Sequence, residues 1–191
     1  MINSRIKIVL GSSSPRRQQL LKLIVKDFSI RVSNNNEKST SNNPQEMVKE
    51  ISLNKSHDIP LFHEELLITA DTIVALGNTI FGKPKDYDEA FKILKTLSGC
   101  THQVYTGVTL RTKEKATSFS EVSHVTFYEL EDKLIDYYIT NYSPYDKAGA
   151  YAIQDFAAVF VKKIEGDYYN IMGLPVAKLF REINKFISTV Q

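Results

Sequence analysis

Apolar residues along this chain gather into short runs of strand or helix length, separated by breaks rich in Gly, Ser, Asn and Pro. Ile6-Lys7-Ile8-Val9-Leu10 predicts a strand that ends in the loop Gly11-Ser12-Ser13-Ser14. Pro15 then opens a helix with Ser14 as its N-cap, because proline has no N–H to leave unpaired in the first turn. After an Asn-rich loop, Pro44 opens an amphipathic helix with Met47, Val48, Ile51 and Leu53 on or near its inner side. Leu66-Leu67-Ile68-Thr69-Ala70 predicts a buried strand stopping at Asp71, and residues 72–81 predict a hairpin turning at Gly77-Asn78.

Farther along, Asp86 or Asp88 caps a helix bearing Ala90, Phe91, Ile93, Leu94 and Leu97, which Gly99 ends. Two strand-like runs, 102–112 and 119–130, flank the charged turn Lys113-Glu114-Lys115 and predict an antiparallel hairpin. Val104, Thr106, Val108 and Leu110 mark one face of the first, and Val122, His124, Thr126 and Tyr128 mark one face of the second. A helix over 131–140, a strand from Ala158 to Ile164, a turn at Gly166 and a helix from near Pro175 complete the pattern. Helices and strands in this irregular order predict an α/β fold with a mixed twisted sheet and flanking helices. At 191 residues, the expectation is one domain over 1–191, with room for two lobes.

Charge narrows the function. With 24 basic and 22 acidic residues the net charge is only +2, which argues against a nucleic-acid binder. Cys100 is the single cysteine, so no intrachain disulfide forms. No run approaches the ~18 apolar residues of a membrane span, and the expectation is a cytoplasmic protein. The histidines lack metal-ligand spacing, and neither a Walker loop nor a Gly-x-Ser-x-Gly elbow occurs.

Four polar elements interrupt the apolar runs. Ser12, Ser13, Ser14, Arg16 and Arg17 surround a helix N-terminus, whose free N–H groups attract an anion and suit a polyphosphate. Asp71-Thr72 places a carboxylate where a strand is expected to end; it can hold Mg²⁺, take a proton from water, or simply cap a turn. Lys83, between Gly82 and Pro84, suits a phosphate. Gln154, near Asp146 and Lys147, offers a donor and an acceptor to a base edge. Glu37 adds a possible second carboxylate, and Lys55 a further cation. This set fits hydrolysis of a nucleotide phosphoanhydride, but spacing alone does not select that over nucleotide binding.

The segments Ser12-Ser13-Ser14-Pro15-Arg16-Arg17, Ala70-Asp71-Thr72, Gly82-Lys83-Pro84 and Leu97-Ser98-Gly99-Cys100-Thr101-His102-Gln103-Val104 occur in order, followed by Asp146-Lys147-Ala148-Gly149-Ala150-Tyr151-Ala152-Ile153-Gln154 and Gly173-Leu174-Pro175. Together they resemble the Maf family of nucleoside triphosphate pyrophosphatases over nearly the whole chain. The Gln154-bearing segment is similar to the branch acting on dTTP and UTP.

The resemblance implies an elongated, two-lobed Maf/ITPase-like α/β domain with a central cleft, commonly a homodimer. It implies hydrolysis of a nucleoside triphosphate to the monophosphate and pyrophosphate with a divalent metal, Mg²⁺ or Mn²⁺. Asp71 falls on the catalytic proton acceptor, and Arg16, Thr72 and Gln154 on substrate-choice positions. Ser12, Ser14, Arg17, Lys55 and Lys83 fall on phosphate and substrate contacts, with Asp71 and Glu37 as metal ligands. Two other readings remain: a non-catalytic nucleotide-binding regulator of septum formation, and a pyrophosphatase for modified or methylated purine triphosphates. Three positions depart from the family pattern: Gly11 for alanine, Asn36 for an acidic residue, and Asp155 for glycine.

Overall fold

A computed structural model describes residues 6–32 and 39–188 of the chain. Seven strands form one mixed sheet in the order β2-β1-β3-β5-β6-β7, with β4 paired to β3. The strands are β1 (Lys7–Leu10), β2 (Ser29–Ile30), β3 (Glu65–Leu76), β4 (Thr79–Phe81), β5 (Thr101–Arg111), β6 (Ala116–Phe127) and β7 (Val161–Glu165). The helices are α1 (Pro15–Lys22), α2 (Pro44–His57), α3 (Tyr87–Leu97), α4 (Asp132–Tyr142), α5 (Tyr168–Met172) and α6 (Val176–Ser188). The α/β class with a mixed sheet and flanking helices is as expected. The chain forms two compact units: one of Met1–Asp71, Thr106–Glu121 and Gly173–Gln191, the other of Thr72–Tyr105 and Val122–Met172. The long strands β3, β5 and β6 contribute residues to both.

In the first unit β1 pairs in parallel with both β2 and β3, with Leu10 opposite Ile68. Helix α2 buries Val48, Ile51, Ser52 and Ser56, while Met47 and Leu53 are only half-buried. Two serines on the inner face, at i and i+4, leave space for the helix to lie close to the sheet. Their hydroxyls are satisfied there: Ser52 Oγ lies 2.8 Å from Thr109 Oγ1 and Ser56 Oγ donates to the Leu53 carbonyl at 2.7 Å. Thr69 Oγ1 donates to the Ser52 carbonyl at 2.6 Å. Arg111 donates to the carbonyls of Ser56 and Ile59 at 2.5 Å each, answering the acceptors that a helix end leaves open.

The second unit is packed around Phe127, Tyr138, Phe160, Leu94 and Leu97, all fully buried. Asp86 is the N-cap of α3, accepting the Glu89 N–H at 2.9 Å, and Gly99 follows the helix at a φ of 68° that only glycine adopts cheaply. The hairpin turn is Gly77-Asn78, with Leu76 opposite Thr79. Three expectations are corrected. Strand β3 does not stop at Asp71 but runs on to Leu76, because Thr72-Ile73-Val74 favours extended backbone and residues 74–76 pair with β4. The buried face of β6 is Ser123, Val125 and Phe127, the opposite parity to the one the pattern marked. The last strand begins at Val161 rather than Ala158, since Asp155 caps a 3₁₀ turn over Phe156–Phe160 by accepting the Ala157 N–H at 3.0 Å.

His102 is wholly buried in this second core, with Nε2 2.8 Å from the Tyr151 hydroxyl and Phe127 edge-on at 4.8 Å. Burial pushes its pKa down to about 4, so the folded chain keeps the ring neutral. Unfolded, the same ring protonates below about pH 6.5. Stability is therefore lost as pH falls from 6.5 towards 4, by about 3 kcal/mol for this group. Urea denaturation at pH 7 and pH 4.5 checks this; His102→Asn is expected to flatten the difference.

Candidate active site

The first unit brings most of the phosphate candidates together. Strand β1 stops at Leu10, and the Gly11 N–H continues its ladder by donating to the Ile68 carbonyl at 2.7 Å. A Cβ on Gly11 would press on the side chains of Thr69, Ile59 and Leu67, so this glycine serves close packing rather than loosening the loop. Ser14 caps α1 as expected, its Oγ accepting the Arg17 N–H at 3.5 Å. Ser12, 7% exposed, accepts from the Ser14 N–H at 3.2 Å and from Arg17 Nη1 at 3.4 Å. Arg17 Nε donates to the Gly173 carbonyl at 2.9 Å, joining two motifs from opposite ends of the chain. Arg16 is half-buried in the same helical turn.

Asp71 is interior to β3, three residues beyond Ile68, which pairs with the last residue of β1. The neighbouring parallel strand has already given way to the α1 loop at that level, so the carboxylate lies at the carboxyl end of β1 although its own strand continues. It is 6% exposed. Lys55, projecting from α2, reaches Asp71 Oδ1 with Nζ at 2.6 Å. Ion pairing at this depth fixes the positions of both side chains.

Thr72, Lys83 and Gln154 belong to the second unit. The Gly149 N–H donates to the Gly82 carbonyl at 3.1 Å, holding the loop of Lys83 against the segment that leads to Gln154. Lys83 and Gln154 are exposed and Thr72 is half-buried. Lys147 pairs with Asp146 at 2.6 Å, placing both charges beside that segment. Glu37 and Asn36 lie outside the described residues.

Sequence reasoning missed Ser52, Ser56, Gly107, Tyr138 and the acceptor role of the Gly173 carbonyl. A glycine inside the strand-like run 102–112 was the one available signal for Gly107. Among the described residues no group of three or more His, Cys, Asp or Glu side chains could hold a metal ion. One buried carboxylate beside three serines and two arginines fits Mg²⁺ bound largely through substrate phosphates, not an all-protein cage.

A family model described as Maf-like protein matches residues 7–186. The chain belongs to the Maf-like protein family. Among curated relatives, a dTTP/UTP pyrophosphatase of Thermosipho africanus is 45% identical over 175 residues, 92% of this chain and 91% of that one. One from Thermoanaerobacter sp. is 49% identical over 179 residues, covering 92% and 94%, and one from Carboxydothermus hydrogenoformans is 47% identical over 184 residues, covering 95% and 99%. A solved HAM1 protein from Coxiella burnetii superposes with a TM-score of 0.51 at 14% identity, over 94% of this chain and 99% of that one. That likeness establishes a shared fold for this Maf-like protein. No helix among its described residues is long and apolar enough to cross a membrane.

Proposed function

We propose that this Maf-like protein hydrolyses dTTP and UTP to the monophosphate and pyrophosphate. The observation that carries the reading is the Lys55–Asp71 pair, 2.6 Å long and largely buried, at the carboxyl end of β1, where the Ser12–Ser14 loop opens α1. Near-full-length relatives at 45 to 49% identity named dTTP/UTP pyrophosphatase supply the substrate class.

In this reading Ser12, Ser14, Arg16, Arg17 and the N-terminus of α1 take the triphosphate oxygens. The Arg17–Gly173 and Arg17–Ser12 bonds hold the guanidinium ready, so little side-chain entropy is lost when the anion arrives. Water attacks the α-phosphorus, the bond to the bridging oxygen breaks, and pyrophosphate leaves. Asp71 accepts the water's proton, while Lys55, bonded to its Oδ1 at 2.6 Å, orients the carboxylate. Asp71, with Glu37 as a second ligand, would hold a divalent cation that enters with the substrate, and that cation would supply charge neutralisation on the phosphates. Lys83 adds a phosphate contact, and Thr72 and Gln154 select the base; a primary amide matches the carbonyl and imide N–H of a pyrimidine. The resemblance also carries a cytoplasmic homodimer into this proposal, and sedimentation of the purified chain reads the oligomer.

The test is pyrophosphate release with Mg²⁺ or Mn²⁺ from dTTP, UTP, CTP, GTP and 7-methyl-GTP. Preferential turnover of dTTP and UTP is expected, and chelation of the metal is expected to stop it. Preference for 7-methyl-GTP overturns the substrate assignment. Tight nucleotide binding without turnover makes the chain a binding regulator instead.

A further inference from the structure

We propose that Tyr138 is a positioning residue: its hydroxyl clamps both ends of the turn that carries Gln154, and so sets base preference. This rests on the assignment of base reading to Gln154. The Asp155 N–H donates to the Ala152 carbonyl at 3.2 Å, closing a β-turn with Ile153 and Gln154 at its centre. Ile153 points inward at 5% exposure, and Gln154 is exposed. The Tyr138 hydroxyl accepts the Ala152 N–H at 3.2 Å and donates to Asp155 Oδ2 at 3.3 Å. One oxygen therefore holds the first and the last residue of the turn.

The oxygen is itself immobile. Tyr138 is fully buried on α4, edge-on to Phe160 at 5.2 Å and stacked on Tyr142 at 5.5 Å. A phenylalanine would fill the same space without burying a hydroxyl, so the hydroxyl is retained against a desolvation cost that its two bonds offset. Asp155, one of the three departures from the family pattern, uses Oδ2 for Tyr138 and Oδ1 for the Ala157 N–H, fixing the chain immediately after Gln154. A glutamine has three side-chain torsions to order on binding. Anchoring its backbone on both sides confines where the amide can reach, which favours one base edge over another.

The experiment compares the full-length protein with Tyr138→Phe, Asp155→Ala and Asp155→Asn. It reads KM and kcat for dTTP, UTP and CTP, thermal melting, and hydrogen exchange at the Ala152 and Asp155 amides. Tyr138→Phe is expected to raise KM for dTTP and UTP and cut their preference over CTP about tenfold, with kcat changed less than about twofold. Both amides are expected to lose protection. Asp155→Asn, which keeps an acceptor for the hydroxyl, is expected to recover most of the preference that Asp155→Ala loses. Should Tyr138→Phe fail to fold, Asp155→Ala carries the same comparison. A parent protein silent on every triphosphate overturns the pyrophosphatase reading alone, and the dTTP-to-CTP ratio is then read as calorimetric affinities. Unchanged preference in a folded Tyr138→Phe overturns the clamp, whatever the exchange shows.

Discussion

Asp71→Asn is expected to lower pyrophosphate release at least about a thousandfold, with KM little changed. The amide keeps the shape of the carboxylate and still accepts a hydrogen bond from Lys55, but it takes no proton and carries no charge for a cation. Stability falls as well, because Lys55 and Asp71 have side chains only 15% and 8% exposed and the ammonium loses its counter-charge. Breaking a buried pair outright costs about 3–5 kcal/mol; with the hydrogen bond retained the expectation is about 2 kcal/mol. For a chain of this size that is a melting point lower by about 6 °C. Steady-state kinetics beside a thermal melt separates the two effects, since assays well below the melting point see only the chemical loss. Turnover near the parent rate removes Asp71 from the reaction.

What the sequence revealed most clearly was local chemistry with a single solution. Ser14-Pro15 can scarcely do anything but cap and start a helix, Gly77-Asn78 between apolar runs turns a hairpin, and Gly99 ends α3 in a conformation that other residues avoid. The errors arose where a distant partner decided the outcome. Strand β3 outruns Asp71 because β4 returns to pair with its second half, and a polar residue in a strand was read as its end. The parity of β6 escaped because both faces alternate with similar polarity and only the packing of Val125 and Phe127 breaks the tie. Asp155 stood out in the sequence only as a departure from the family pattern beside Gln154; in the fold it is the cap of a 3₁₀ turn and the acceptor of the Tyr138 hydroxyl.

The site shows the same division. The Ser12–Arg17 loop was visible because it is contiguous, whereas the pairing of Arg17 with Gly173 spans 156 positions and the Lys55–Asp71 pair joins a helix to a strand. In the sequence Lys55 was one further cation among the candidates. What places it is the closeness of α2 to the sheet, and the sequence encodes that closeness in small residues rather than charged ones: Ser52 and Ser56 on the helix, Gly107 on the strand below.

Gly107→Ala is accordingly expected to be the most disruptive single-methyl change in the first unit. A Cβ at this position would overlap the carbonyl carbon and oxygen of Val48, backbone atoms of α2 that no rotamer change can move. The helix has to retreat from β5, which stretches the Ser52–Thr109 and Thr69–Ser52 bonds and draws Lys55 away from Asp71. Overpacking of this kind costs about 3 kcal/mol or more, a melting point lower by about 9 °C, and the surviving folded protein is expected to lose turnover as its carboxylate loses its cation. Gly11→Ala is the control of equal size. The nearest atoms to its Cβ would be side-chain atoms of Thr69, Ile59 and Leu67 instead of backbone, so the expected cost is about 1.5 kcal/mol, half that of Gly107→Ala. Melts and rates of the two variants side by side decide the matter. A Gly107→Ala protein that melts with Gly11→Ala and keeps its turnover shows that α2 is held over Asp71 by something other than the glycine's missing side chain.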